Sequence, residues 1–282
     1  MFDIRQDCPI QSKCRRTGKP SMNEMIESIG NRTISIVLSF LDICMSAVIT
    51  LSMVFNKKTY NSATFSVLIH QIYYTAVEIL PLFIAVSVFL GTLTMGILFQ
   101  TLKQFGLDQY LGNILVGFAI TELSPFVTVL LLALRSSSAI NTEIAVMKVN
   151  RELDTLKAFQ IDAGRYLFLP RILNGMISLV LLNGLFSIIL ITSGLLFSQL
   201  LFGMGLNTYS RLLANSVHLS DSIILAIKCM TFGFFITFIP ILSGLRTSYD
   251  LTSIPVSVLH GMIRVFIAII SIEVLSLIAR FF

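Results

Sequence analysis

Four cysteines and three histidines are all that this 282-residue chain offers for disulfide or metal chemistry. Cys8 and Cys14 fall in a polar amino-terminal arm, Cys44 in the amphipathic stretch that follows, and Cys229 in an apolar run. No disulfide framework or metal-ligand spacing emerges. His70, His218 and His260 are equally scattered, and no HExxH, GxSxG or GxxxxGK followed by Ser or Thr occurs. The chain therefore reads as lacking a nucleotide-binding site of its own, so any active work takes its energy from a partner. Charge is scarce too: 12% of residues are charged against 55% hydrophobic, with a mean hydropathy of +0.86. That much apolar surface cannot be hidden in an aqueous globule, which points to a polytopic membrane protein. The alternating ten-residue segments of a barrel are missing, because the apolar runs are continuous. The first 30 residues are polar and carry acids, which fits neither a cleavable signal peptide nor a good transit peptide.

What is present is a set of five stretches long enough to cross a hydrocarbon core of about 20 helical residues. They lie at roughly 72–99, 112–134, 167–200, 222–245 and 264–282, and lipid leaves their backbones no hydrogen-bond partners except within a helix. A sixth stretch, Thr33 to Phe55, is also long enough. Its Ser35, Ser39, Asp42, Ser46 and Thr50 recur at spacings of four, three, four and four, drawing one polar stripe along a helix. Such a helix lies in the membrane interface. With that helix flat and the amino terminus cytoplasmic, inside segments hold 16 Lys and Arg against three outside (Lys103, Arg211 and Arg280), with Lys228 within a span. If 33–55 crossed, the count would become ten against nine, losing the usual cytoplasmic excess. The reading is a cytoplasmic arm over 1–32, an interfacial segment over 33–62 and a membrane domain over 63–282. The net charge of +5 is accounted for by cytoplasmic loops and requires no nucleic acid.

In so oily a chain, residues 143 to 171 carry nine charges. Under this topology they form the longest cytoplasmic loop, about 30 residues between spans two and three. Val146, Val149, Leu153 and Leu156 keep a three–four–three rhythm, one apolar face of a short helix over 146–158. That face must be buried against something. Either it lies on the membrane surface or its own bundle, or it fits a partner's groove. Acids within spans are costly and are usually paired or functional. Glu122 stands about mid-span, three residues before Pro125, which removes a backbone donor and bends a helix. For Glu273 the structural reading, a pairing with Lys228, leads the functional one, and Glu78 sits where it reaches the headgroups. Asn174 with Gly175 and Asn183 with Gly184 read as helix-packing positions.

The run Glu122–Leu123–Ser124–Pro125 is followed by Arg135, Glu143–Ile144, Met147–Lys148–Val149, Leu153–Asp154, Leu156, Asp162, Tyr166–Leu167 and Pro170–Arg171. It resembles the MlaE/YrbE permeases, the transmembrane subunits of ABC transporters that move phospholipids or other lipids together with MCE-domain proteins. Gln71–Ile72–Tyr73, Val77, Leu80–Pro81, Asp221, Lys228, Phe232–Gly233 and Gly244 agree in order, so the resemblance covers about residues 70–282. It implies an all-α membrane protein of five spans, an amphipathic interfacial helix before them and a cytoplasmic coupling helix between spans two and three. It implies a homodimer bound to two ATPase subunits, which bind the ATP; no cofactor is expected in this chain.

By the same resemblance, Glu143, Met147, Lys148, Val149, Arg151, Glu152, Leu153, Asp154 and Leu156 couple to the ATPase. Glu122, with Ser124 and Pro125, lines or gates a lipid pathway, a structural hydrogen bond to a neighbouring helix being the other reading of Glu122. The MCE partner would sit on the opposite face, near Asp108, Arg211 and Asp221. The implied location is a bacterial inner membrane, with a plastid inner envelope as the alternative. The chain departs from the family pattern at Thr121, where an arginine is usual, at Ser136–Ser137–Ser138, at Asn150–Arg151–Glu152 and at Ala163. Rival readings are a membrane-embedded lipid-metabolising enzyme, for which the clustered ligands are missing, and a passive scramblase or channel.

Overall fold

The computed structural model describes residues 79–107, 110–203, 205–217 and 219–281. The expectations for the amino-terminal arm, the 33–55 helix, Glu78, Asp108, His218 and the first residues of span one lie outside the described residues. Among those described, every regular element is helical. Five helices are long and apolar enough to cross a membrane: α1 (Leu80–Phe105), α2 (Gly112–Val149), α4 (Leu169–Phe202), α6 (Leu219–Leu245) and α7 (Ile254–Phe281). Two short helices connect them, α3 (Glu152–Ala158) and α5 (Leu206–Ser216).

Local sequence sets the helix ends. Pro81 and Pro170 sit in the first turns of α1 and α4, where a missing N–H costs nothing. Gly106 and Gly203 close the same helices in the left-handed conformation (φ 64° and 63°), which glycine adopts without penalty. The second span does not stop near 134 as predicted but continues to Val149. Its polar residues, which suggested a loop, are satisfied in place. Ser138 and Thr142 bond back to the carbonyls of Leu134 and Ser138 at 2.9 Å, and buried Asn141 donates to the Ser257 carbonyl at 3.2 Å. Two π-helical segments, Leu115–Leu123 and Ala133–Ser137, flank the α-helical Ser124–Leu132 within α2. The last helix likewise begins at Ile254 rather than near 264.

Packing centres on α6, which lies against α4, α7 and α2, while α4 in turn packs on α1. Phe83, Met95, Phe99, Phe186 and Phe232 are fully buried, and Phe83 meets Phe186 edge to face at 6.3 Å. Helices α4 and α6 cross closely. A Cβ added to Gly233 would stand 2.6 Å from the Met176 Cα and 2.7 Å from the Gly175 carbonyl oxygen. Small residues here bring two backbones into contact, as the Asn174–Gly175 reading anticipates. Asn174 and Asn183 are buried as well. Gly184 is exposed, and among the described residues nothing lies within 4 Å of its would-be Cβ.

The two ends of the bundle differ. At one end Lys103 donates to the Leu201 carbonyl at 2.6 Å, and α5, which sequence reading did not anticipate, is anchored by buried Tyr209, whose hydroxyl donates to the Ile191 carbonyl at 3.0 Å. Burial pushes the Tyr209 phenol up to about 12, so it remains a donor. At the other end lie α3 and the connection between α6 and α7, with Lys148 donating to the Leu245 carbonyl at 2.5 Å.

Candidate functional site: a charge quartet and a hinge at the opposite end

Glu122, Lys228, Glu273 and Arg280 converge from three spans. Lys228 Nζ lies 2.5 Å from Glu122 and 3.0 Å from Glu273, and Arg280 Nη1 lies 2.8 Å from Glu122. The Lys228, Glu122 and Glu273 side chains are only 4%, 12% and 14% exposed, and the two acids balance the two bases. Low dielectric strengthens each contact and forbids leaving any one charge alone. Arg280 also donates to the Gly117 carbonyl at 2.7 Å and to Thr121 Oγ1 at 2.5 Å. Gly117, Thr121 and Glu122 all belong to the π-helical segment of α2, whose wider turn releases carbonyls from regular pairing.

The predicted pairing of Glu273 with Lys228 is present, and Glu122 completes it. Glu122 is central in the apolar run 112–134 but not in the whole helix, which continues to Val149. Ten residues separate it from Gly112 and 27 from Val149, so it stands about 15 Å from one end of α2 and about 40 Å from the other. Arg280, which the topology count assigned to an outside segment, is drawn back into the quartet; only a three-dimensional contact 158 positions away reveals it. Ser124 is fully buried and donates to Asn183 Oδ1 at 2.8 Å, with Ser187 Oγ 3.1 Å away. Pro125 is buried beside it. Ser124 is thus tied to α4, and of the three predicted pathway residues Glu122 alone reaches the charge cluster.

The predicted coupling residues gather at the other end, but the single helix expected over 146–158 is divided. Helix α2 stops at Val149, Arg151 adopts the left-handed conformation (φ 59°), and α3 starts at Glu152. The break separates Val146 and Val149 from Leu153 and Leu156, so the four do not form one continuous face. Leu153 is already buried by its own chain and Leu156 half-buried. The large apolar side chains left exposed here are Phe159, Ile161 and Tyr166. Lys148 and Arg151 stand 5.5 Å and 5.8 Å from the centre of the Tyr249 ring, a double cation–π contact that ties the hinge to the α6–α7 connection. Glu143 pairs with buried Arg171 at the start of α4. Glu152 accepts from Asn150 at 3.3 Å, Asp154 stands 3.9 Å from Lys157, and Met147 is half-buried.

The family model described as permease MlaE matches residues 68–279. The chain belongs to the MlaE permease family. It is 30% identical over 64% of its length to the intermembrane phospholipid transport system permease protein MlaE of Haemophilus influenzae, covering 69% of that protein. A probable ABC transporter permease protein of Rickettsia bellii is 24% identical over 77% of the chain and 82% of its own length. The chloroplastic protein TRIGALACTOSYLDIACYLGLYCEROL 1 of Arabidopsis thaliana is 27% identical over 64% of the chain, the match spanning about half of that relative (51%). The chain is thus a multi-pass membrane protein akin to ABC transporter and phospholipid transport permeases. Where the MlaE pattern usually has arginine at 121, this member has Thr121 in contact with Arg280.

Proposed function

We infer that the chain is the transmembrane subunit of an ABC transporter that moves phospholipid or a related lipid, driven by a separate ATPase. It would work as a homodimer in a bacterial inner membrane, with the ATPase against the α3 end and an MCE-domain partner against the α5 end. The observation that carries this reading is mechanical continuity. The α3 hinge is tied through Lys148 and Arg151 to the α6–α7 connection, and α2, α6 and α7 meet again at the charge quartet. A push on α3 would therefore be delivered to three helices that share one set of ion pairs, the element through which α3 would be coupled to the far end. Shifting those pairs alters the spacing of the helices where lipid would pass. The relatives named as permeases support the lipid-transport class.

The test is gentle detergent extraction of the chain from its native membrane, followed by quantification of bound ATPase and of retained lipid by mass spectrometry. A stoichiometric ABC ATPase with bound phospholipid is the expected result. A chain that repeatedly purifies without an ATPase would overturn the proposal in favour of a passive lipid channel.

A further inference from the structure

At the α3 end, a cavity of about 380 Å³ opens between the end of α6 and the start of α7. Arg246, His260 and Arg264 line it together with the hydroxyl residues Thr247, Ser248 and Ser257. It contains two guanidinium groups and an imidazole, and none of its lining residues is acidic. Among the described residues, no carboxylate lies within ion-pair distance of Arg246 or Arg264. Ser257 and Thr247 are held in place by a local network: Thr247 donates to Ser257 at 2.8 Å, and Ser257 to the Ser243 carbonyl at 3.1 Å. The lining residues Val256, Ser257, His260 and Arg264 belong to the first three turns of the 28-residue α7.

We propose that this pocket binds a phosphate group, held by Arg246, Arg264 and His260, and that its source is the headgroup of an anionic phospholipid in the leaflet at the α3 end. Guanidinium forks match phosphate oxygens in geometry and charge. The depth is right for a headgroup. Arg264 and Arg280 are 16 residues apart on α7, about 24 Å along its axis, so the two arginines bracket most of a hydrocarbon core roughly 30 Å thick. The long Arg264 side chain, near one end of that stretch, is thereby within reach of the headgroups of its leaflet. Beyond it along the helix an apolar face turns outward: Ile267, Ile270 and Val274 are exposed, and only 11% of the most apolar stretch of α7 is buried in the chain. Acyl chains would lie along that face while the phosphate occupies the pocket. This arrangement favours a lipid over a soluble phosphate. It rests on the membrane reading of α7 and not on the transport proposal.

The experiment uses the full chain in a neutral detergent, with phosphatidylglycerol or phosphatidylcholine added and retained lipid counted by native mass spectrometry. The parent is expected to retain phosphatidylglycerol preferentially. Arg246→Gln with Arg264→Gln should weaken that retention by roughly tenfold or more, since each lost guanidinium removes a charge-assisted contact. Arg246→Lys with Arg264→Lys keeps the charge and should lose less. Lys103→Gln, at the opposite end, should change nothing. If inorganic phosphate alone stabilises the parent against heat and the double Gln variant loses that effect without any change in lipid retention, the phosphate site stands and its source is soluble. Equal phosphatidylglycerol retention by parent and double Gln variant, with no response to phosphate in either, overturns the proposal. Lost ATPase capture with unchanged lipid and phosphate binding does so too, and assigns the cluster to a protein partner.

Discussion

Lys228 Nζ stands 2.5 Å from Glu122 Oε2, joining α6 to α2 across 106 positions of sequence. The same ammonium reaches Glu273 at 3.0 Å, so one cation serves two carboxylates from two other spans. Ion pairs shielded from water gain little net stability, because desolvation offsets most of the attraction, yet losing one member leaves a stranded charge. A contact with that energy profile is poor as a rivet and well suited as a switch, provided that both of its states keep every charge partnered.

Replacing Lys228 with Met should therefore lower stability by about 3–5 kcal/mol, because Glu122 and Glu273 are left facing each other. Combining Lys228→Met with Glu122→Gln and Glu273→Gln should recover most of that loss, since no uncompensated charge remains except Arg280, which is partly exposed. Thermal unfolding in detergent reads both. A triple variant no more stable than Lys228→Met would show that packing at Lys228, rather than charge, is what the single change destroys. Lipid transport by a stable triple variant at the parental rate would deny the quartet any part in the transport cycle.

The α4–α6 crossing makes an opposite pair of demands on glycine. Gly233→Ala puts a methyl 2.6 Å from the Met176 Cα, where only backbone could yield, and overpacking of this kind costs about 1–3 kcal/mol. Gly184→Ala meets nothing, and should gain up to about 1 kcal/mol through lower flexibility of the helix backbone. Chemical unfolding in mixed micelles should separate the two variants in sign. Equal destabilisation by both would mean that Gly184 is covered in the assembled protein, as a second copy of the chain would do.

How much of this was legible in the sequence depends on the range of the interaction. Span number and the Lys228–Glu273 pair follow from apolar run length and from the rule that charges within a membrane find partners. The extension of α2 to Val149 was hidden because Ser138, Asn141 and Thr142 look like loop residues until their bonds to Leu134, Ser138 and Ser257 are known. The division of the 146–158 helix was hidden by a good apolar rhythm, which cannot report that Arg151 adopts a left-handed backbone. The contacts of Arg280 were hidden because charge counting reports only the side of the membrane, not that the guanidinium turns back toward Gly117 and Thr121. The family resemblance placed Glu122 and the α3 region among the functional candidates, but it carried no information about which neighbours they hold.

The division at Arg151 moves the expected anchor for the ATPase. Leu153 is buried within the chain, so Leu153→Ala should cost about 2–5 kcal/mol of stability. Its loss of ATPase binding should follow from loss of fold. Phe159 is 72% exposed, so Phe159→Ala should leave unfolding temperature unchanged while weakening ATPase capture. Pull-down and thermal unfolding measured on the same preparations distinguish the two. Normal ATPase capture by Phe159→Ala, with loss only for folded Leu153→Ala protein, would return the anchor to the buried face.

Arg280 offers the sharpest test of the quartet, because it reaches both Thr121 and Glu122 from another helix. The guanidinium of Arg280 contacts Thr121 at 2.5 Å and Glu122 at 2.8 Å, so the positive charge is present near Glu122 although it arrives from a different helix. Arg280→Gln should cost about 1–3 kcal/mol, in the range for a hydrogen bond to a charged group, and less than Lys228→Met because Arg280 is 33% exposed. Adding Thr121→Arg should restore much of the loss, since a long side chain starting from that position enters the space that the Arg280 guanidinium leaves. Thr121→Arg alone should be unfavourable, with two guanidinium groups competing for one carboxylate. The measurement is a double-mutant cycle on melting temperature in detergent, with coupling of the sign opposite to each single effect. A double variant that melts no higher than Arg280→Gln would mean that the position of the charge on α7, tying the last span to α2, matters more than its presence beside Glu122.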